Sequence, residues 1–346
     1  MLYPQSNPFR QLIDLSGFWD LRFDPACQGE QSGWVEGFRG GRPVAVPASW
    51  NDQFEDGRDY LGSAWYQTRF DLPWGWEAAQ QRIILRFDSV NYMAEAWLNG
   101  TRLGQHEGGH LPFEFDVTPH LKSEGNRLVV RVEGELAPDR VPPGNVPLDP
   151  RHTFANQNYP PTTYDFFPFC GIQRPVLLYT VPRQAIADIA VVTEIVGKAG
   201  IVRVRLDSKE GDGLTARVAM RGTSASAQTS LSGGPAQVEL SVPEATFWSP
   251  DSPHLYELVV ELARGGETFD RYTVPIGIRT VQVEGDALLL NGKPIYLRGF
   301  GRHEDFPVLG RALAPAVVVK DYALMKWMGA NSFRTTHYPY SDQMMD

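Results

Sequence analysis

The chain has 346 residues, 42% hydrophobic and 21% charged, the proportions of a globular protein with room for two or three domains. A net charge of −9 leaves no basic stripe that could release counterions from a polyanion, which excludes nucleic acid as the main partner. Only two cysteines are present, so no disulfide framework holds the chain, and no apolar run approaches signal-peptide length or the roughly 18 residues of a membrane span; a cytoplasmic protein without a membrane partner is expected.

From residue 12 to 180 the pattern is one of short alternating strands broken by turns. "RIILRFDSV", "AEAWLNGTRLG", "FEFDVTPHL" and "NRLVVRVEG" follow one another. Asn99-Gly100 is a two-residue hairpin signal, because both positions accept positive φ. Each strand of this kind buries one face, so a jelly-roll β-sandwich is expected over residues 1–182. "DIAVVTEIV", "IVRVRLDS", "LTARVAM", "AQVELSV", "HLYELVVEL" and "RYTVPIGI" then form a second unit, expected as an immunoglobulin-like β-sandwich over 183–276.

After Gly277 the character changes. A hairpin carrying Asn291-Gly292 leads to a strand "IYLRGF", a polar loop "GRHEDFPVLGR", a helix "PAVVVKDYALMKWMGA" and a strand "ANSFR". Pro315 suits a first helical turn, and Val317, Leu324 and Met328 recur at helical spacing. Strand, loop, helix and strand in this order open a parallel α/β unit, the first strands and helix of a TIM (β/α)8 barrel over 277–346. The fold class expected is therefore mainly β and multidomain. In such a barrel the segments following the strands form the catalytic face, which here means Arg302, His303, Glu304 and Asp305, then Arg334, His337 and Tyr338. Taken alone, polar residues in a βα loop are more often solvated charges or structural ion pairs.

"GFGRHED" followed by "GANSFRTTHYPYS" resembles the barrel opening of glycoside hydrolase family 2, and within it the β-glucuronidases. "VPASWNDQF", "WYQTRFDLP", "EGGHLPFEFDVTPHL", "YDFFPFCGIQRPVLLYT" and "FWSPDSPHLYEL" are similar to family segments in the same order, so the resemblance runs from about Leu15 to the end. It implies retaining hydrolysis of β-D-glucuronides by two glutamates. Both glutamates, and the pair that grips the glucuronate carboxylate, would lie beyond residue 346, so no catalytic residue is assigned and the chain alone is expected to be inactive. It is also expected to be a fragment, since residues 278–346 are all that follow Gly277 where a barrel takes about 250. For substrate binding the resemblance implies Asp165, reaching from the jelly roll, and His337. Asn331, Arg334, His303 and Glu304 are implied as supporting or structural residues, with Arg334 buried and ordering neighbouring carboxylates. No cofactor and no metal are implied; the partner is a β-glucuronide or related small glycoside, and the full-length protein is expected to be a homo-oligomer. Pro168, Phe169 and Cys170 stand where relatives commonly carry Asn-Tyr-Ala, which leaves a galacturonide open, as it leaves a family 2 β-galactosidase. A non-catalytic carbohydrate-binding protein is the reading from another class.

Two textual matches are set aside. "HEGGH" (106–110) spells a zinc-protease pattern, but that chemistry needs a helix and two adjacent glycines cost about 1 kcal/mol each in one; a strand and turn are expected instead. Cys170 is not read as a nucleophile. No glycine-rich phosphate loop or dinucleotide fingerprint is present.

Overall fold

The computed structural model describes residues 1–76, 79–144, 167–312 and 314–345. Its first unit is an antiparallel sandwich. A six-stranded sheet runs in the order Arg42–Val46, Gly17–Phe23, Ser63–Phe70, Asn126–Glu133, Met93–Leu98, Thr101–Glu107. A four-stranded sheet runs Leu12–Asp14, Val176–Pro182, Gln81–Phe87, Phe113–Asp116. Alternation decides which side chains meet: Leu128, Val130 and Val132 point into the core with Tyr66, Leu85 and Leu178, while Arg127 and Arg131 point out. The hairpin at Asn99-Gly100 has φ of 53° and 83°, the left-handed pair that lets the turn follow the strand twist.

The second unit is also an antiparallel sandwich. One sheet pairs Ala185–Val196, Ala199–Lys209 and Ala236–Val242; the other pairs Ser226–Ser230, Thr215–Met220, Tyr256–Arg264 and Glu267–Ile276. Val202, Val204, Leu206, Val218, Leu258, Val260 and Leu262 fill the space between them, and the core extends to Ile278. The strand Ser226–Ser230 ("SAQTS") was not anticipated, because it is a polar sheet edge without an apolar alternation. The N-terminal segment ties the two sandwiches together. Arg10 donates from Nε and Nη2 to the fully buried Asp270 at 2.9 and 2.6 Å, and Asp270 also accepts the Ile186 amide.

The last region begins with a small sheet, Val281–Glu284, Ala287–Leu290 and Lys293–Pro294, turning at Asn291-Gly292 with φ of 52° and 73°. Next comes the βα unit: strand Gly299–Arg302, helix Pro315–Trp327 and strand Ser332–Thr335, the two strands parallel with Gly299 opposite Ser332. The first strand starts four residues later than the apolar run "IYLRGF" suggests. Tyr296 and Leu297 are exposed, and the Asn331 side chain accepts the Arg298 amide at 2.7 Å and donates to the Tyr296 carbonyl at 3.0 Å, occupying two backbone groups that an earlier strand start would pair. Gly299 is required at this register, since a Cβ would sit 1.9 Å from the Ser332 carbonyl oxygen. The loop after the first strand docks on the jelly roll, where Ser49 donates its amide to the Leu309 carbonyl. Of the helix, Val318 is buried and Val317 half-buried, whereas Leu324, Trp327 and Met328 are exposed. No helix among the described residues is long and apolar enough to cross a membrane.

Candidate functional site

The two turns that follow the parallel strands share one pattern. Arg302, His303, Glu304 and Asp305 run buried, exposed, buried, exposed, and Thr336, His337, Tyr338 and Pro339 do the same. In each turn a histidine on the open side is followed directly by an anchor on the closed side. The histidines come together: the His303 and His337 rings are 5.4 Å apart and nearly perpendicular. Arg334 Nη2 lies 2.7 Å from His337 Nδ1. A guanidinium only donates, so Nδ1 accepts and a neutral His337 carries its proton on Nε2.

Arg334 is exposed, which corrects the buried position expected for it. The alternation of its strand gives the reason. Phe333 turns toward the helix and packs its ring 5.4 Å from Tyr322, so Arg334, one residue on, faces away from the helix opposite Gly301. Arg302 belongs to the strand rather than to the loop after it, and is clamped to Asp321 of the helix at 2.9 and 2.7 Å.

The anchors form a polar cluster between the jelly roll and the βα unit. Glu304 is buried beside the Arg174 guanidinium at 3.4 Å, and its amide donates to the Tyr338 hydroxyl at 2.9 Å. Burial pushes the Glu304 carboxyl up, while Arg174, Arg302 and Arg311 pull it back. Tyr338 meets the His110 ring, stacked at 4.4 Å, and the Arg311 guanidinium, 4.7 Å from its centroid. Arg311 also reaches the Phe167 carbonyl at 3.1 Å. His110, buried among these cations, is held well below the usual histidine range by desolvation, then by Arg311 and Arg174.

Of the residues expected at the site, His303, His337 and Arg334 are thus brought together, Glu304 is a structural anchor and Asn331 a backbone clip. Asp165 lies outside the described residues. "HEGGH" forms the end of the strand Thr101–Glu107 and a turn, as expected; His106 stacks on Phe113 while His110 stacks on Tyr338, so the two rings have separate partners. Among the described residues no group of three or more His, Cys, Asp or Glu is placed to hold a metal. Cys170 is fully buried and its thiol is pushed well above the ordinary value by desolvation, the wrong direction for a nucleophile. Sequence reasoning missed the roles of Arg174, Arg311 and His110. Arg174, the only charged residue in "CGIQRPVLLYT", was the one available signal for the first.

Comparison with known proteins shows the family. Residues 12–182 match the family 2 glycosyl hydrolase sugar-binding domain, 184–279 the following family 2 domain, and 281–346 the family 2 TIM-barrel domain. The chain belongs to glycosyl hydrolase family 2. It is 35% identical to a beta-glucuronidase of Paenibacillus borealis and 36% identical to that of Sus scrofa, in both cases over 100% of this chain but only 58% and 56% of the relative. Among solved structures it is similar to a beta-glucuronidase of an uncultured Clostridium sp., at TM-score 0.87 and 37% identity, covering 100% of this chain and 58% of that one. It is equally similar to a Ruminococcus gnavus b-glucuronidase in complex with uronic isofagomine, at TM-score 0.88 and 33% identity, covering 99% and 57%. The chain therefore spans less than three fifths of the length of these relatives.

Proposed function

We propose that this chain is the N-terminal portion of a retaining β-D-glucuronidase, that His303, Arg334 and His337 form one wall of its sugar pocket, and that Asp165 is a further substrate-binding residue. The observation that carries the reading is the pair of exposed histidines, 5.4 Å apart at the ends of two parallel strands, in a chain that resembles beta-glucuronidases along its whole length. Imidazoles on the open side of two adjacent turns suit recognition of sugar hydroxyls and of a uronate carboxylate. Retaining hydrolysis needs an acid/base and a nucleophile about 5–5.5 Å apart. Glu304 serves as neither, since it is buried and committed to Arg174. A cytoplasmic location fits two cysteines that stay unpaired, and a homo-oligomer is proposed for the full-length protein.

The test is turnover of a chromogenic β-D-glucuronide by residues 1–346 alone and by the same chain continued through a whole barrel. Turnover is expected only from the longer protein, and faster than on the matching galacturonide or galactoside. Equal turnover by both, abolished by Glu304→Gln, would put the machinery in the wrong place. Saturable sugar binding by the longer protein without turnover would favour a carbohydrate-binding protein.

A further inference from the structure

We propose that Arg174, a jelly-roll residue, is a positioning residue that sets the spacing of the two histidine-bearing turns. Its backbone belongs firmly to the sandwich: the preceding Ile172 carbonyl accepts the Ala48 amide, Gln173 donates to the Ser89 carbonyl, and Val176–Pro182 follows as a central strand. Its side chain leaves that sandwich. Nη1 donates to the His110 carbonyl at 3.1 Å, which fixes the guanidinium plane on the jelly-roll side. Nη2 is shared between the Pro339 carbonyl at 2.9 Å and the Glu304 carboxylate at 3.4 Å, one acceptor from each turn. Those acceptors lie one residue after His303 and two residues after His337. The turns are further knotted to each other through the Glu304 amide and the Tyr338 hydroxyl. A movement of either turn is therefore carried to the ring it bears.

The energetics argue for geometry over stability. Both partners of the Arg174–Glu304 pair are buried, at 5% and 7% side-chain exposure, and a buried ion pair is often no better than a well-packed apolar pair of similar volume. What the pair supplies that an apolar contact cannot is direction: a planar fork that holds three acceptors at fixed angles. Lysine, a single point charge, can keep one of these contacts but not the set.

The test uses residues 1–346 with labelled histidine, read by imidazole resonances and the nuclear Overhauser effect between the His303 and His337 rings. The double variant Arg174→Met/Glu304→Gln removes both charges together, so that neither is left buried alone. The expected result is loss of the ring–ring effect and movement of the His303 and His337 signals, with His254, in the second sandwich, unmoved and the thermal midpoint nearly kept. Unchanged ring signals in a folded double variant would overturn the proposal. Should that variant not fold, Arg174→Lys decides: His337 shifts in the expected case, and unshifted His303 and His337 contradict it. The inference rests on the glucuronidase-like reading only for what the histidines are held to do. Displaced rings with undiminished glucuronide turnover in the longer protein would count against that reading and leave the positioning intact.

Discussion

The two sandwiches and the βα unit are ordered in different ways. Each sandwich closes its own core: Trp50, Trp65 and Tyr66 are fully buried in the first, and Val202, Leu258 and Val260 in the second. The βα unit keeps Leu324 and Met328 of its helix exposed, and Tyr338, the buried aromatic of its turns, is covered by a jelly-roll histidine. Apolar burial thus specifies the sandwiches, whereas the turns take their order from polar contacts with the neighbouring domain. Burial is local to a sheet pair and tolerant of detail; a shared guanidinium is not.

The comparison is broken most forcefully from the core side. Trp50 packs against Phe23, Tyr60 and Tyr66, and its indole N–H donates to the Tyr60 carbonyl at 2.8 Å. Trp50→Ala is expected to cost about 3–5 kcal/mol, measured as the shift in urea unfolding of the first sandwich. A loss of below about 1 kcal/mol would mean that the site relaxes in a way its full burial does not suggest.

The junction should instead answer to pH. His110 is neutral in the folded chain because burial, with Arg311 and Arg174 adding to it, holds its pKa well below the ordinary histidine value of about 6.5. A depressed folded pKa contributes stability that is present above the unfolded pKa and lost as pH falls, because the unfolded chain takes up a proton that the folded one refuses. Below about pH 6.5 the loss approaches about 1.4 kcal/mol per pH unit. Glu304 acts in the opposite sense: its raised pKa favours the folded state at low pH and that contribution fades as pH rises through the folded value, so it does not add to the acid loss. His110→Phe should flatten stability between pH 7 and 5.5; an unchanged slope would remove His110 as its source.

The smallest effect is expected on the helix. Leu324→Gln, at a side chain 42% exposed, should change stability by no more than about 0.5 kcal/mol. It should also reduce self-association, because Leu324 and Met328 line an open groove of about 330 Å³ with Phe300 and Phe306. Sedimentation at rising concentration checks this, and a marked loss of stability would mean that the helix is better packed than it stands here.

The same contrast explains what could be read from the sequence. The sandwiches were legible because alternation and Asn-Gly turns are local signals, and the strand "SAQTS" escaped because an edge strand needs no apolar face. The histidines were legible as residues that follow the two strands of a βα pattern, and their role only through the motif they sit in. Arg174 and Glu304 are separated by 130 residues, and nothing local in either segment points to the other. The late start of the first barrel strand was hidden for a similar reason, since Asn331, 35 residues beyond Tyr296, occupies backbone groups that an earlier start would pair. The burial expected for Arg334 failed on a single step of strand parity.

Backbone hydrogen exchange in residues 1–346 tests most directly whether the turns are ordered from the jelly roll. In Arg174→Met, peptides covering Gly299–Arg302 and Ser332–Thr335 are predicted to lose protection while those covering Asn126–Glu133 and Tyr256–Arg264 keep it. Protection of the two parallel strands that is unchanged by the substitution, or lost in step with that of the sandwiches, would contradict the account.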